Sequence, residues 1–161
     1  MLAMPASTWP GWTWPRSAQA GPALDVARAR IGVRRTALFW LDPAARSLTC
    51  VATAGEGRGE GWLGQVLAAG LGMAGRAVAE GVPVWTPDLL VDARVPIAPW
   101  LREWMIEEGL RAVAAAPVRT RAGIRGALGF LDGPGRAYDA DGLVTLGRLA
   151  DELGATLEEA R

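Results

Sequence analysis

The sequence predicts an α/β fold of the α+β kind, with antiparallel hairpins flanked by helices. Two pairs of apolar, strand-like runs are each joined by a short segment rich in turn formers. The last stretch of chain places apolar residues three and four apart, the spacing of an amphipathic helix. Between the hairpins lie short pieces punctuated by glycine and proline, too short to cross over between parallel strands. A chain of 161 residues suits one domain with its own core.

The first residues, MLAMPASTWPGWTWPRSAQAG, hold Trp9, Trp12 and Trp14 between prolines, with no basic start and no apolar run of signal-peptide length. Residues 1–22 therefore read as a flexible leader, with a short aromatic docking motif or a mis-assigned start codon as alternatives. Pro22 followed by ALDVARARI suits a helix opening at the proline and ending near Gly32, because Leu24, Ala27 and Ile31 share a face. RRTALFWL and SLTCVATA, separated by Asp42, Pro43 and two alanines, form an antiparallel hairpin in which Pro43 presets the bend. Phe39, Trp40 and Cys50 divide between the two faces of that hairpin according to its register.

Residues 55–62 read as a loop, followed by a short strand, a short helix and another short strand over residues 65–92. Gly70, Gly72 and Gly75 match G-x-G-x-x-G, with Asp92 about twenty residues on, as in a dinucleotide-binding fingerprint. That reading is rejected, because Gly81, Val82 and Pro83 end the following helix too soon for it to cross a parallel sheet. The glycines are assigned to tight turns.

A helix over Pro99–Glu108 is expected from the spacing of Trp100 with Trp104 and of Leu101 with Met105, and Gly109 closes it. Glu103, Glu107 and Glu108 read as its exposed face. RAVAAAPV and IRGALGFLD make the second hairpin, whose tip carries Arg119, Arg121 and, just beyond, Arg125 as solvated charge. The last helix starts with Asp139 as N-cap and a staple of Tyr138 on Leu143. Leu143, Leu146, Ala150, Leu153, Leu157 and Ala160 then form a heptad seam that can face the sheet or a second copy of the chain.

Composition excludes several chemistries. All seventeen basic residues are Arg, balanced by seventeen acidic ones, so no broad positive field invites nucleic acid. The lack of His removes the commonest general base and metal ligand, and the lack of Lys removes P-loop and Schiff-base chemistry. Cys50 is the only cysteine, so no disulfide forms within the chain. No run is long enough to span a membrane, and a cytoplasmic location is the default.

In the order of its elements the chain resembles the GAF family, as do two stretches of its sequence: GLGMAGRAVAEGVPVWTPDLLVDAR, with Val84 and Trp85 before Asp88, and RAVAAAPVRTRAGIRGALGF. The resemblance covers roughly residues 23–161. It implies a central antiparallel sheet with the N- and C-terminal helices on one face and a pocket-covering crossover segment on the other. It further implies a sensory domain of a bacterial sensor kinase, cyclic-di-nucleotide enzyme or transcription regulator, commonly dimeric through its terminal helices. Several of the family's chemistries fail on residue type. Cyclic-nucleotide binding of the Asn-Lys kind, bilin attachment through Cys-His and haem ligation by His have no residues to carry them, and the family's free methionine sulfoxide reductases depend on more than one cysteine.

A pocket, where present, is expected to be lined by Trp62, Met73, Trp85, Trp100, Trp104 and Met105, with Arg76, Asp88 and Arg94 as polar anchors. The plainer reading makes the tryptophans core and the arginines solvated or carboxylate-paired. Three functions follow in order: a ligand-sensing module without cofactor, metal or catalysis of its own; a ligand-free structural or dimerisation module; and, last, an enzyme drawing an acid or base from Asp88, Asp92 or the glutamates.

Overall fold

The computed structural model describes residues 17–57 and 59–159, so residues 1–16 of the leader expected over residues 1–22 lie outside the described residues. Helix α1 spans Ser17–Ile31 and leads into strands β1 (Arg35–Asp42) and β2 (Ser47–Gly55). The middle consists of a 3-10 turn (Gly59–Trp62), β3 (Val66–Leu67), α2 (Gly72–Glu80), β4 (Val84–Thr86) and α3 (Pro99–Glu108). Strands β5 (Ala112–Thr120) and β6 (Gly123–Asp132) and helix α4 (Ala140–Glu159) follow.

Both predicted hairpins form. They join through antiparallel pairing of β1 with β6, giving one six-stranded antiparallel sheet in the order β3-β2-β1-β6-β5-β4. The two edge strands are the shortest, which leaves little open edge for pairing with another chain. In the first hairpin Asp42 Oδ1 accepts hydrogen bonds from the backbone N–H of Ala44 (3.0 Å) and Ala45 (3.2 Å), so the aspartate as well as Pro43 builds the turn. The rejected dinucleotide motif is a pair of turns. Gly70 and Gly72 have positive φ, and a Cβ on Gly75 would come within 3.0 Å of the Gly70 backbone.

The strand alternation sorts side chains into two cores. Leu38 and Trp40 face α1 and α4, whereas Ala37, Phe39 and Cys50 face the other side, beneath α2 and α3. A register shift between Leu38 and Phe39 pairs Leu38 with Ala52 but Phe39 with Cys50, leaving Val51 as the extra residue of a bulge.

One expectation changes, and one open alternative is decided. The first helix begins at Ser17 rather than Pro22, and Pro22 lies inside it. Ala20, Leu24 and Ala27 are buried against the sheet, and burying that stripe outweighs the hydrogen bond Pro22 cannot donate. The seam of α4 faces inward: Leu146, Ala150, Leu153 and Leu157 are buried in the core with α1, and Leu143 is packed at its edge. Those residues are consumed by their own sheet and present no seam to a second copy. Ala160 lies outside the described residues.

Candidate functional site

The face opposite α1 and α4 is closed by the segment running from the 3-10 turn through α3. Phe39 and Val113 from the sheet meet Trp62, Leu67, Met73 and Leu101 from the cover around a cavity of about 20 Å³. That is room for about one water. The lining is apolar throughout, so in this conformation the pocket is nearly filled by its own side chains.

At the rim of this core stands a charged cluster. Arg35 opens β1 on the same face as Ala37 and Phe39, and its side chain is 1% exposed. Its Nη2 donates to Glu108 Oε1 (3.1 Å) and to the carbonyl of Glu56, and its Nη1 donates to the Thr53 hydroxyl (3.0 Å). The other oxygen of the same carboxylate, Glu108 Oε2, accepts from the Trp62 indole N–H (3.0 Å), while the guanidinium carbon lies 5.6 Å from the Trp62 ring centroid. Glu108 is the last residue of α3, where a carboxylate opposes the helix dipole and no basic residue in that turn offsets it. Pairing with Arg35 supplies the compensation. The neighbouring Arg34 donates to the carbonyls of Glu108 (2.7 Å) and Gly109 (3.2 Å), and its own carbonyl accepts from Arg28 Nε of α1 (2.9 Å). Glu108 is thus held by its backbone and its side chain from one Arg-Arg dipeptide, and its predicted place on an exposed helix face is corrected.

The structure brings together five of the nine predicted site residues. Trp62, Met73 and Met105 are buried in this core, and Trp100 and Trp104 pack against it half-buried. Trp62 and Trp100 meet edge to face at 5.8 Å, and the Trp100 indole donates to the Val66 carbonyl (2.9 Å), fastening α3 to β3. Trp85 is a correction. Its pairing with Ala114 turns it to the opposite face, where it packs edge to face on Tyr138. The polar candidates lie outside the core as well. Arg76 pairs with Glu80 one turn on. Asp88 makes a two-pronged pair with Arg111 (2.8 and 2.7 Å), and Arg94 pairs with Asp92 (2.9 and 2.7 Å). None of the three is directed at the cavity lining.

These pairings decide what the acids can do. Hydrogen bonding to Arg111 holds the Asp88 carboxyl below its ordinary range, and Arg94, with help from Thr86, does the same for Asp92. Both are ionised near neutrality and hold no proton to donate. Burial pushes the Cys50 thiol up to about 12, so the reactive thiolate is scarce at neutral pH. Among the described residues no group of His, Cys, Asp or Glu is placed to hold a metal ion, and no helix is long and apolar enough to cross a membrane. Sequence reading missed Arg35, because nothing in RRTALFWL marks which arginine turns inward. For Glu108 a signal existed: an acidic residue next to the closing glycine of a helix is out of place electrostatically.

The fold is shared with solved structures of low sequence identity. The GAF domain of a phosphoenolpyruvate-protein phosphotransferase from Coxiella burnetii is similar at 18% identity, over 92% of this chain and 86% of that one, with a TM-score of 0.73. The second GAF domain of DevS from Mycobacterium smegmatis is similar at 19% identity, over 89% and 93%, with a TM-score of 0.68. A free methionine-R-sulfoxide reductase from Neisseria meningitidis, solved with its substrate, is similar at 20% identity, over 90% and 79%, with a TM-score of 0.70. No curated protein matches the sequence. Residues 22–158 match the family described as GAF domain, a span that takes in the whole sheet, the covering segment, the last two thirds of α1 and nearly all of α4. The chain belongs to the GAF domain family.

Proposed function

We propose that this GAF domain is a cytoplasmic small-molecule sensor of a bacterial signal-transduction protein, such as a sensor kinase, a cyclic-di-nucleotide enzyme or a transcription regulator. The observation that carries this reading is the fastening of the pocket cover by a buried ion pair, Arg35 with Glu108. A core that only had to stay shut would be served as well by apolar side chains, since a buried pair spends its attraction on desolvation. A charged fastening at the junction of cover and sheet suits a cover that has two positions. Arg34 supports the second half of the reading, transmission to the terminal helices, because one residue hydrogen-bonds both the end of α3 and Arg28 of α1. Trp62, Met73, Trp100, Trp104 and Met105 would line the opened pocket. Arg76, Asp88 and Arg94 fall outside it.

A second reading rests on the small cavity: a ligand-free module whose pocket is permanently filled. Self-association in that case would use the outer surface of α1 and α4, where Arg30 pairs with Glu152, rather than the buried seam. A reductase activity has little to draw on, with the single thiol buried on the sheet.

Native mass spectrometry beside the denatured mass, combined with hydrogen exchange, separates the two main readings. The sensor reading expects a small adduct lost on denaturation, and α3 amides that exchange through an opening less costly than global unfolding. An apo mass together with α3 amides that exchange only on global unfolding would replace it with the ligand-free reading.

A further inference from the structure

Resting on the sensor reading, we propose that the ligand is a small organic carboxylate, and that Glu108 is a built-in carboxylate occupying its place. The two oxygens of Glu108 meet two donors that converge from separate elements, Arg35 of β1 at 3.1 Å and the Trp62 indole at 3.0 Å. That is the planar, two-oxygen recognition a carboxylate requires. Thr53 and the Glu56 carbonyl hold Arg35 in position, so the guanidinium stays aimed when its anion is exchanged. Among the described residues the Nε of Arg35 is buried without a hydrogen-bond partner, so the guanidinium has a donor that Glu108 leaves unused.

The site also states what kind of anion and what kind of tail it takes. Arg35 supplies one positive charge in a buried setting, which a monoanion balances and a phosphate dianion would exceed. Trp62 belongs to both halves of the site, its N–H on the carboxylate and its ring in the cavity wall. A carboxylate in place of Glu108 therefore lies one ring away from apolar space, which suits an alkyl or aryl tail. Exchange removes no charge pair, because one carboxylate replaces another, and the freed Glu108 is at the protein surface side of the cluster with 14% exposure already. Its tether makes Glu108 a competitor with a high effective concentration.

Removing that competitor gives the test. Hexanoate, hexanol and hexyl phosphate are titrated by calorimetry into the full chain and into Glu108→Gln, with melting curves confirming that the variant is folded. We expect saturable hexanoate binding that is about tenfold or more tighter in Glu108→Gln, with hexanol and hexyl phosphate weaker in both proteins. Adding Trp62→Phe to Glu108→Gln, which keeps a ring but removes the N–H, should weaken hexanoate about tenfold again. A Glu108→Gln protein that binds hexanoate no better than wild type, or no better than hexanol or hexyl phosphate, overturns the assignment. If an adduct is still carried through purification in that case, the sensor reading stands and only the ligand class falls; if no adduct is found and α3 opens only on global unfolding, both fall.

Discussion

Among single residues, Glu108 and Arg35 matter most to the cover. Truncating Glu108 to Ala leaves a guanidinium buried without its anion, and such broken pairs cost about 3–5 kcal/mol when burial is complete. With Glu108 partly exposed, the lower end, about 3 kcal/mol, is expected for Glu108→Ala by urea unfolding. Asp88 gives a prediction of a different sign structure. Its folded-state carboxyl is held below the ordinary value by Arg111, so the stabilisation is present above about pH 4, where the unfolded carboxyl is ionised too, and is lost as pH falls through the lowered folded value. The stability gap between wild type and Asp88→Asn should therefore narrow as pH drops below about 4, measured by urea midpoints across an acid series. A gap that stays constant would mean that the Arg111 pair contributes nothing to folding. At this scale the sequence was only partly legible. Trp62, Met73 and Met105 are large and apolar, and residue type alone marks them for burial in a core; the inward turn of Arg35 depends on strand register, which residue type does not encode.

Elements were more legible than their faces. The hairpins, the closing glycines and α4 follow from period and turn chemistry, and all formed where those rules place them. Trp85 went to the wrong face because β4 is only three residues long, too short for an alternation pattern to fix its register in advance. The seam of α4 was visible, but a three-four spacing is the same whether it meets a sheet or another helix. Contact with β5 settles it: a Cβ on Gly154 would lie 2.1 Å from the carbonyl oxygen of Arg119. Gly154→Ala sets two effects against each other, a helix-propensity gain of about 1 kcal/mol and an overpacking cost of about 1–3 kcal/mol. The clash is with backbone, which cannot rotate away, so a net loss of stability is expected in urea unfolding. An unchanged or higher midpoint would show that α4 stands off the sheet.

In the whole molecule one sheet separates two cores, with the cavity on one side and α1 and α4 on the other. Any message between them passes through the strands or around their ends. Arg34 is such an end, and Arg34→Ala removes two hydrogen bonds to the last carbonyls of α3. Loss of about 1–2 kcal/mol locally should speed exchange roughly tenfold at residues 106–110, with a parallel rise at residues 28–33, where Arg28 meets the Arg34 carbonyl. Faster exchange confined to the end of α3 would remove this route across the molecule.

The two grips on Glu108 also fix how the cover can move. Arg34 holds the helix backbone by bonds separate from those of the carboxylate, so loss of the side-chain pair alone leaves the carboxyl end of α3 attached. At the opposite end the helix is tied by the Trp100 indole on Val66. The helix is thus pinned at both ends, in the manner of a plank nailed at two points, by Arg34 at its carboxyl end and by Trp100 near its amino end. Any displacement of α3 from the sheet has to break one of these ties in addition to the Glu108 pair.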